Sequence, residues 1–148
     1  MKKNGKIPAV IMAALFGLAS APNPDKPAVR VIVGVEGLRN TSGQLRVALF
    51  GKDGFPKDES KILFGAQKPV SGTNQVVTLE DVPPGGYAIL VHHDENGNSR
   101  MDYDFLGRPR EGYGVSNNVR HLFRAPSYGE AEVSIAPGAS EFRVRLKY

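Results

Sequence analysis

With 148 residues, 19 Lys and Arg against 15 Asp and Glu, and no cysteine, the chain is one domain's worth of sequence carrying a formal charge of +4. The missing cysteines exclude disulfides, thiolate metal sites, iron–sulfur clusters, catalytic thiols and lipid attachment through sulfur. Seventeen glycines and eleven prolines suit short strands joined by turns and argue against a helical bundle.

Residues 1–21, MKKNGKIPAVIMAALFGLASA, begin with Lys2, Lys3 and Lys6, continue as an apolar stretch from Ile7 to Ala19 and end in Ala19-Ser20-Ala21. This is the three-part layout of a secretory signal peptide, with cleavage expected after Ala19 or Ala21, and its apolar stretch is shorter than the roughly 20 residues of a bilayer-spanning helix. Removing it leaves 16 basic residues against 15 acidic ones, a charge of +1 with no electrostatic reason to seek nucleic acid. No later apolar run reaches membrane-spanning length, so the mature chain is expected to be periplasmic or secreted, with no transmembrane segment. The three prolines of residues 22–28 read as a stiff, extended leader into a domain at 29–148.

From Val29 the pattern has period two. Val29, Val31, Val33 and Val35 share one parity, and after the turn residues Arg39 to Gly43 the set Leu45, Val47 and Leu49 does the same, which predicts a β-hairpin over 29–50. Gly51 to Pro69 reads as irregular, with one or two helical turns at Asp58–Phe64. Val76–Leu79 and Tyr87–His93 are the third and fourth strands, a hairpin about Pro83-Pro84-Gly85-Gly86. Ala131–Ile135 and Glu141–Lys147 follow, with Arg143, Arg145 and Lys147 on the wet side of the last strand, where they guard an edge. Six or seven strands without a sustained helical period predict an all-β fold, a single antiparallel β-sandwich with one long ordered loop.

Directly after the fourth strand comes Asp94-Glu95-Asn96-Gly97-Asn98-Ser99-Arg100-Met101-Asp102-Tyr103-Asp104. Alternate oxygen-bearing side chains let a curled backbone turn Asp94, Asn96 and Asn98 inward, with the Arg100 carbonyl, Asp102 and Asp104 available to complete a calcium shell of six to eight oxygens. The order resembles the opening of an EF-hand loop. Ser99 stands where that loop has glycine and Phe105 where it has its bidentate glutamate, so a full EF-hand is excluded. The competing reading is a loop whose side chains bond their own backbone. His92 and His93 precede the loop, but adjacent strand residues point to opposite faces and do not readily chelate one zinc or copper ion. One of them is expected to orient the carboxylate of Asp94 or Asp102.

Residues 105–128 form the longest stretch without periodicity. Phe105, Tyr113, Phe123 and Tyr128 are expected to anchor it, and Arg108, Arg110, Arg120 and Arg124 give it a basic rim. Tyr113, Asn117, Asn118, Arg120 and Arg124 would suit a sugar or an acidic polymer, or equally a loop pinned to a sheet by stacking and by arginine bonds to carbonyls. No nucleophile elbow, H-E-x-x-H motif or phosphate-cradling loop occurs.

VEGLRNTSGQLRVALF at 35–50, GFP at 54–56, LEDVPPGGYAILVHHDENGN at 79–98, FLG at 105–107, EGYGVSNN at 111–118 and APSY at 125–128 resemble the exported bacterial family known as domain of unknown function 2141. The resemblance runs from about residue 29 to Tyr148. It implies a small prealbumin-like or carboxypeptidase-regulatory-like sandwich behind a signal peptide, with no assigned catalysis; at Ser99 the sequence departs from the glycine common in the family. The reading that follows is a non-enzymatic module of the cell envelope, stabilised by calcium at the 94–104 loop, with an envelope protein or a polysaccharide as partner. The alternative is a carbohydrate-active or other hydrolytic enzyme using Asp94, Asp102 and His93.

Overall fold

The computed structural model describes Asp25 and residues 27–148; the segment read as a signal peptide and most of the leader lie outside the described residues. Eight strands and one short helix follow in order: β1 (Val29–Glu36), β2 (Gln44–Phe50), β3 (Ile62–Pro69), β4 (Asn74–Val82), β5 (Gly85–Asp94), β6 (Gly112–Val115), α1 (Tyr128–Ala131), β7 (Glu132–Ile135) and β8 (Ala139–Arg145). They form two sheets, a first of order β4-β1-β8 and a second of order β3-β2-β5-β6, with β7 also on β5. The all-β expectation is met; eight strands stand where six or seven were expected.

The predicted parities place the core. Val29, Val31, Val33 and Val35 are all buried, and they share one apolar cluster with Leu45, Val47, Leu49, Ile89, Val91 and Val144, drawn from both sheets. The predicted hairpins do not form. β1 pairs with β4 and β8, whereas β2 pairs with β3 and β5, so the 37–43 turn carries the chain from one sheet to the other. The turns between β4 and β5 and between β7 and β8 do the same. Two strands whose apolar rows face each other across a core have the same alternation as two strands lying side by side, and Gly-, Pro- and Asn-rich connections serve both.

Two further expectations are corrected. The fold is not wholly antiparallel, because β8 returns from the second sheet and lies parallel to β1. Ile62–Pro69 is a strand: the helical turn is confined to Glu59–Lys61, and in β3 only Ile62 is fully buried, so the run shows no clean alternation.

β6 and β7 share one edge of β5, β6 along Leu90–His93 and β7 along Gly85–Ala88. Ser116 fills the gap between them: its hydroxyl accepts from Ile89 N at 2.9 Å and donates to the Ala131 carbonyl. The second sheet is also covered on its outer face. Ala48, Phe50, Ile62, Ala88, Val115 and Ala131 form a second cluster, completed by Phe55 and Tyr128, which stack edge to face in the order Phe50, Phe55, Tyr128. β2 is therefore buried on both sides from Leu45 to Phe50.

Ile89 is fully buried between the sheets whereas Val76 is half exposed on β4. Ile89→Ala is expected to lower the unfolding free energy by about 2–5 kcal/mol and Val76→Ala to change it by no more than about 0.5 kcal/mol, as measured by urea denaturation.

Candidate functional site

β5 delivers two histidines to opposite faces of the second sheet, as its period requires. His93 points inward and is fully buried. Its Nε2 lies 2.7 Å from the Ser42 carbonyl, which only accepts, so Nε2 carries the proton and Nδ1 accepts from the Tyr148 hydroxyl, also at 2.7 Å. The Tyr148 ring closes against Gly112, where an added Cβ would sit 2.4 Å from it, and its face carries the Arg39 guanidinium at 4.3 Å. Burial pushes the Tyr148 hydroxyl above its ordinary pKa.

His92 points outward and is also buried. Directly across the ladder stands Arg46, 5% exposed, whose Nη1 lies 3.5 Å from His92 Nδ1. A guanidinium only donates, so Nδ1 is the acceptor and Nε2 donates to Glu111, 2.8 Å away. Glu111, 4% exposed, then ties down two points of the 94–104 loop: its carboxylate accepts from Glu95 N at 2.9 Å and from Asp102 N at 3.3 Å. Arg46 holds a third point through the Ser99 carbonyl at 2.7 Å, and Glu59 from below at 3.3 Å. One imidazole thus orients a carboxylate, but the partner is Glu111, not Asp94 or Asp102. Sequence reasoning missed Glu111 because it lies 19 residues from His92, within the stretch that shows no periodicity and gives no strand signal.

Above this row the loop curls on itself. Asp94 is buried and its carboxylate accepts from Asn98 N at 3.1 Å and Ser99 N at 2.7 Å. Asn96 and Asn98 turn their side-chain amides onto the Asp102 carboxylate at 2.5 and 3.1 Å. Gly97 and Ser99 supply the two left-handed residues of the curl, with φ of +70° and +64°. Gly43 lets the 37–43 turn pass under the loop's root, since a Cβ there would lie 2.0 Å from the Asp94 carbonyl oxygen. The structure thus brings Asp94, Asn96, Asn98 and Asp102 together. Asp104 faces away: its carboxylate accepts from Leu106 N, Arg108 N and Arg108 Nε at 2.8–3.0 Å. The Arg108 N–H foremost, with the guanidinium and Leu106 N–H, outweighs desolvation and holds Asp104 below its ordinary pKa. The Arg100 side chain is exposed.

His92, Asp94 and Glu111 present ligand atoms within 4.8 Å of one another. The Arg46 guanidinium already supplies, beside His92, the positive charge an ion would bring, and His92 and Glu111 already satisfy each other. These residues read as a structural row.

The residues considered for a sugar or polymer surface are committed to the fold in part. The Asn117 amide donates to the Glu130 and Glu132 carbonyls at 3.0 Å, and Asn118 Oδ1 accepts from Arg145 N at 2.8 Å. Arg124 grips Glu130 with both terminal nitrogens, Tyr113 carries the Lys147 ammonium over its ring, and Arg120 is exposed. Tyr128 anchors the segment, but Phe105 and Phe123 do not; they stand 93% and 98% exposed.

The family model described as an uncharacterized protein conserved in bacteria, domain of unknown function 2141, matches residues 33–143. The chain belongs to this family. The match runs from the second half of β1 through most of β8, including the 94–104 loop and Glu111. No curated protein and no solved structure matches the chain.

Arg39 closes the loop's near end by a bidentate bond to Glu95, at 2.6 and 3.2 Å, with Asn40 adding a third bond at 2.6 Å. Burial works to raise the Glu95 pKa, but these bonds outweigh it and the carboxyl lies below its ordinary value. A depressed folded-state pKa stabilises fully above the unfolded value, and that contribution is lost as pH falls through the folded one. The difference in melting temperature between wild type and Glu95→Gln is therefore expected to be full near pH 6 and to close as the pH falls below about 4.

Proposed function

We propose that the chain is an exported, non-enzymatic module of the bacterial cell envelope whose 94–104 loop binds calcium, on a sandwich of the prealbumin-like or carboxypeptidase-regulatory-like kind. The observation that carries the calcium reading is the convergence of the Asn96 and Asn98 side-chain amides on the Asp102 carboxylate, beside Asp94, whose carboxylate holds Asn98 N, on a loop tied down at both ends. Turning the Asn96 and Asn98 amides about their terminal bonds brings their oxygens toward Asp102, at the cost of the bonds those oxygens now accept from Asn98 N and Arg100 N, each at 3.1 Å, so the ion must replace them. The loop then offers two carboxylates and two amide oxygens. With the Arg100 carbonyl and one or two waters this makes the six to eight hard oxygen ligands calcium takes. Asp104, whose carboxylate is already paired with the Arg108 guanidinium, is left out of the shell.

Export is supported by the basic, apolar and small-residue succession of residues 1–21. A non-enzymatic role is supported over the hydrolytic one by His93, whose two ring nitrogens are engaged on the inner face, while the Asp94 carboxylate at the end of β5 and Asp102 beyond it are turned to the loop's own groups. Among the described residues no helix is long and apolar enough to cross a membrane. An envelope protein or a polysaccharide is the proposed partner.

Calorimetric titration of calcium into the protein, with melting curves, tests the reading. Heat of binding and a rise in melting temperature are expected at millimolar calcium, a rise of about 2.7 kcal/mol in stability corresponding to a hundredfold excess over Kd. Asp102→Ser removes the carboxylate from a half-buried position outside both apolar clusters and is expected to abolish both signals while leaving the apo protein folded. No heat and no shift in the wild type would overturn the reading.

A further inference from the structure

We propose that the sheet edge bearing β6 docks on an anionic phospholipid surface, with Phe105–Leu106 and Leu122–Phe123 as the inserting apolar pairs. These side chains are 93%, 62%, 91% and 98% exposed. A large aromatic group left wholly in water on an ordered turn forgoes the burial that normally stabilises it, and contiguous exposure of that kind marks an interaction site.

Both pairs are displayed by built turns. Phe105 and Leu106 ride on the 104–108 turn, closed by Gly107 N to the Asp104 carbonyl at 2.9 Å, by Asp104 N to the Arg108 carbonyl at 2.9 Å and by the Asp104 carboxylate on three donors. Leu122 and Phe123 lie between His121 and Arg124, and both neighbours are fastened to Glu130, which also accepts from Ser127 N and Oγ at 2.9 Å. The two excursions leave opposite ends of the four-residue β6, the strand at one edge of the second sheet.

The charges around the pairs select the surface. Of the four arginines between Phe105 and Tyr128, Arg108 is paired with Asp104 and Arg124 with Glu130, while Arg110 and Arg120 are exposed beside the two pairs; the one acid within this stretch, Glu111, is buried against His92. Apolar pairs flanked by exposed arginines match the headgroup region of an anionic bilayer, where the rings enter the acyl boundary and the guanidinium groups meet phosphate. Tyr103, 57% exposed beside the first pair, is amphipathic in the way that suits the same depth.

The chain has no tryptophan, so one placed at each tip reports on that tip alone. Phe105→Trp, Phe123→Trp and, as a control on the far sheet, Val76→Trp are made in the full chain. Each is mixed, in chelator, with phosphatidylcholine vesicles with and without phosphatidylglycerol, some carrying brominated acyl chains. The two tip reporters are expected to shift to the blue and to be quenched by brominated lipid on the anionic vesicles, and the control to do neither. Arg110→Gln with Arg120→Gln is expected to weaken the effect about 25-fold, near fivefold for each arginine at the surface. Tip reporters that stay unchanged while the chain is held on vesicles by its first 21 residues would overturn the proposal. So would a response equal to that of Val76→Trp, or an equal response on vesicles lacking phosphatidylglycerol.

Discussion

A guanidinium, an imidazole and a carboxylate lie in a row beneath the 94–104 loop, shut off from water, and each is answered by another protein group: Arg46 faces His92, and His92 faces Glu111. Removing one member of such a row leaves its neighbour buried without a partner, which typically costs several kcal/mol, so the row is held as a unit. The loop above inherits that rigidity through the Glu95 and Asp102 amides and the Ser99 carbonyl, three backbone points fastened to two buried side chains. Ordering a free loop of this length would otherwise cost about 1–2 kcal/mol for each residue fixed. Whatever the loop binds meets a shape the sheet has already imposed.

The row exists because the second sheet is covered on both faces. Its inner face meets the first sheet across the valine and leucine cluster. Its outer face is apolar toward Phe50 and Ala88 and polar toward Arg46 and His92, so a single pair of strands, β2 and β5, supports both a second core and a buried polar row. Ser116 and the left-handed Asn117 and Asn118 then allow the β5 edge to be shared between β6 and β7, and the two excursions that flank β6 carry the Asp/Asn loop on one side and the Leu122–Phe123 tip on the other.

Much of this was legible in the residues, and what was not has definite causes. Parity identified the buried rows of β1 and β2 and placed His92 and His93 on opposite faces, because side-chain direction in a strand is set by local geometry alone. Partner choice is not local. Residues 29–50 carry every feature of a hairpin, yet their two apolar rows face each other across the core. β3 escaped notice because Leu63 to Pro69 lie at a sheet margin, where burial does not enforce alternation. The spacing of Asp94, Asn96, Asn98 and Asp102 was readable as a curl, whereas the diversion of Asp104 into the following turn depends on the Gly107 bend. Glu111 could be recognised only once β6 had returned along β5 and set it beside His92.

Hydrogen exchange at the Glu95, Ser99 and Asp102 amides, measured by NMR in chelator, tests most directly whether the protein itself builds the loop. All three amides are expected to exchange slowly without calcium, and Glu111→Ala is expected to release Glu95 and Asp102 while Asp94 still protects Ser99. Fast exchange at all three in the wild type, slowed only when calcium is added, would contradict the account and assign the loop's order to the ion.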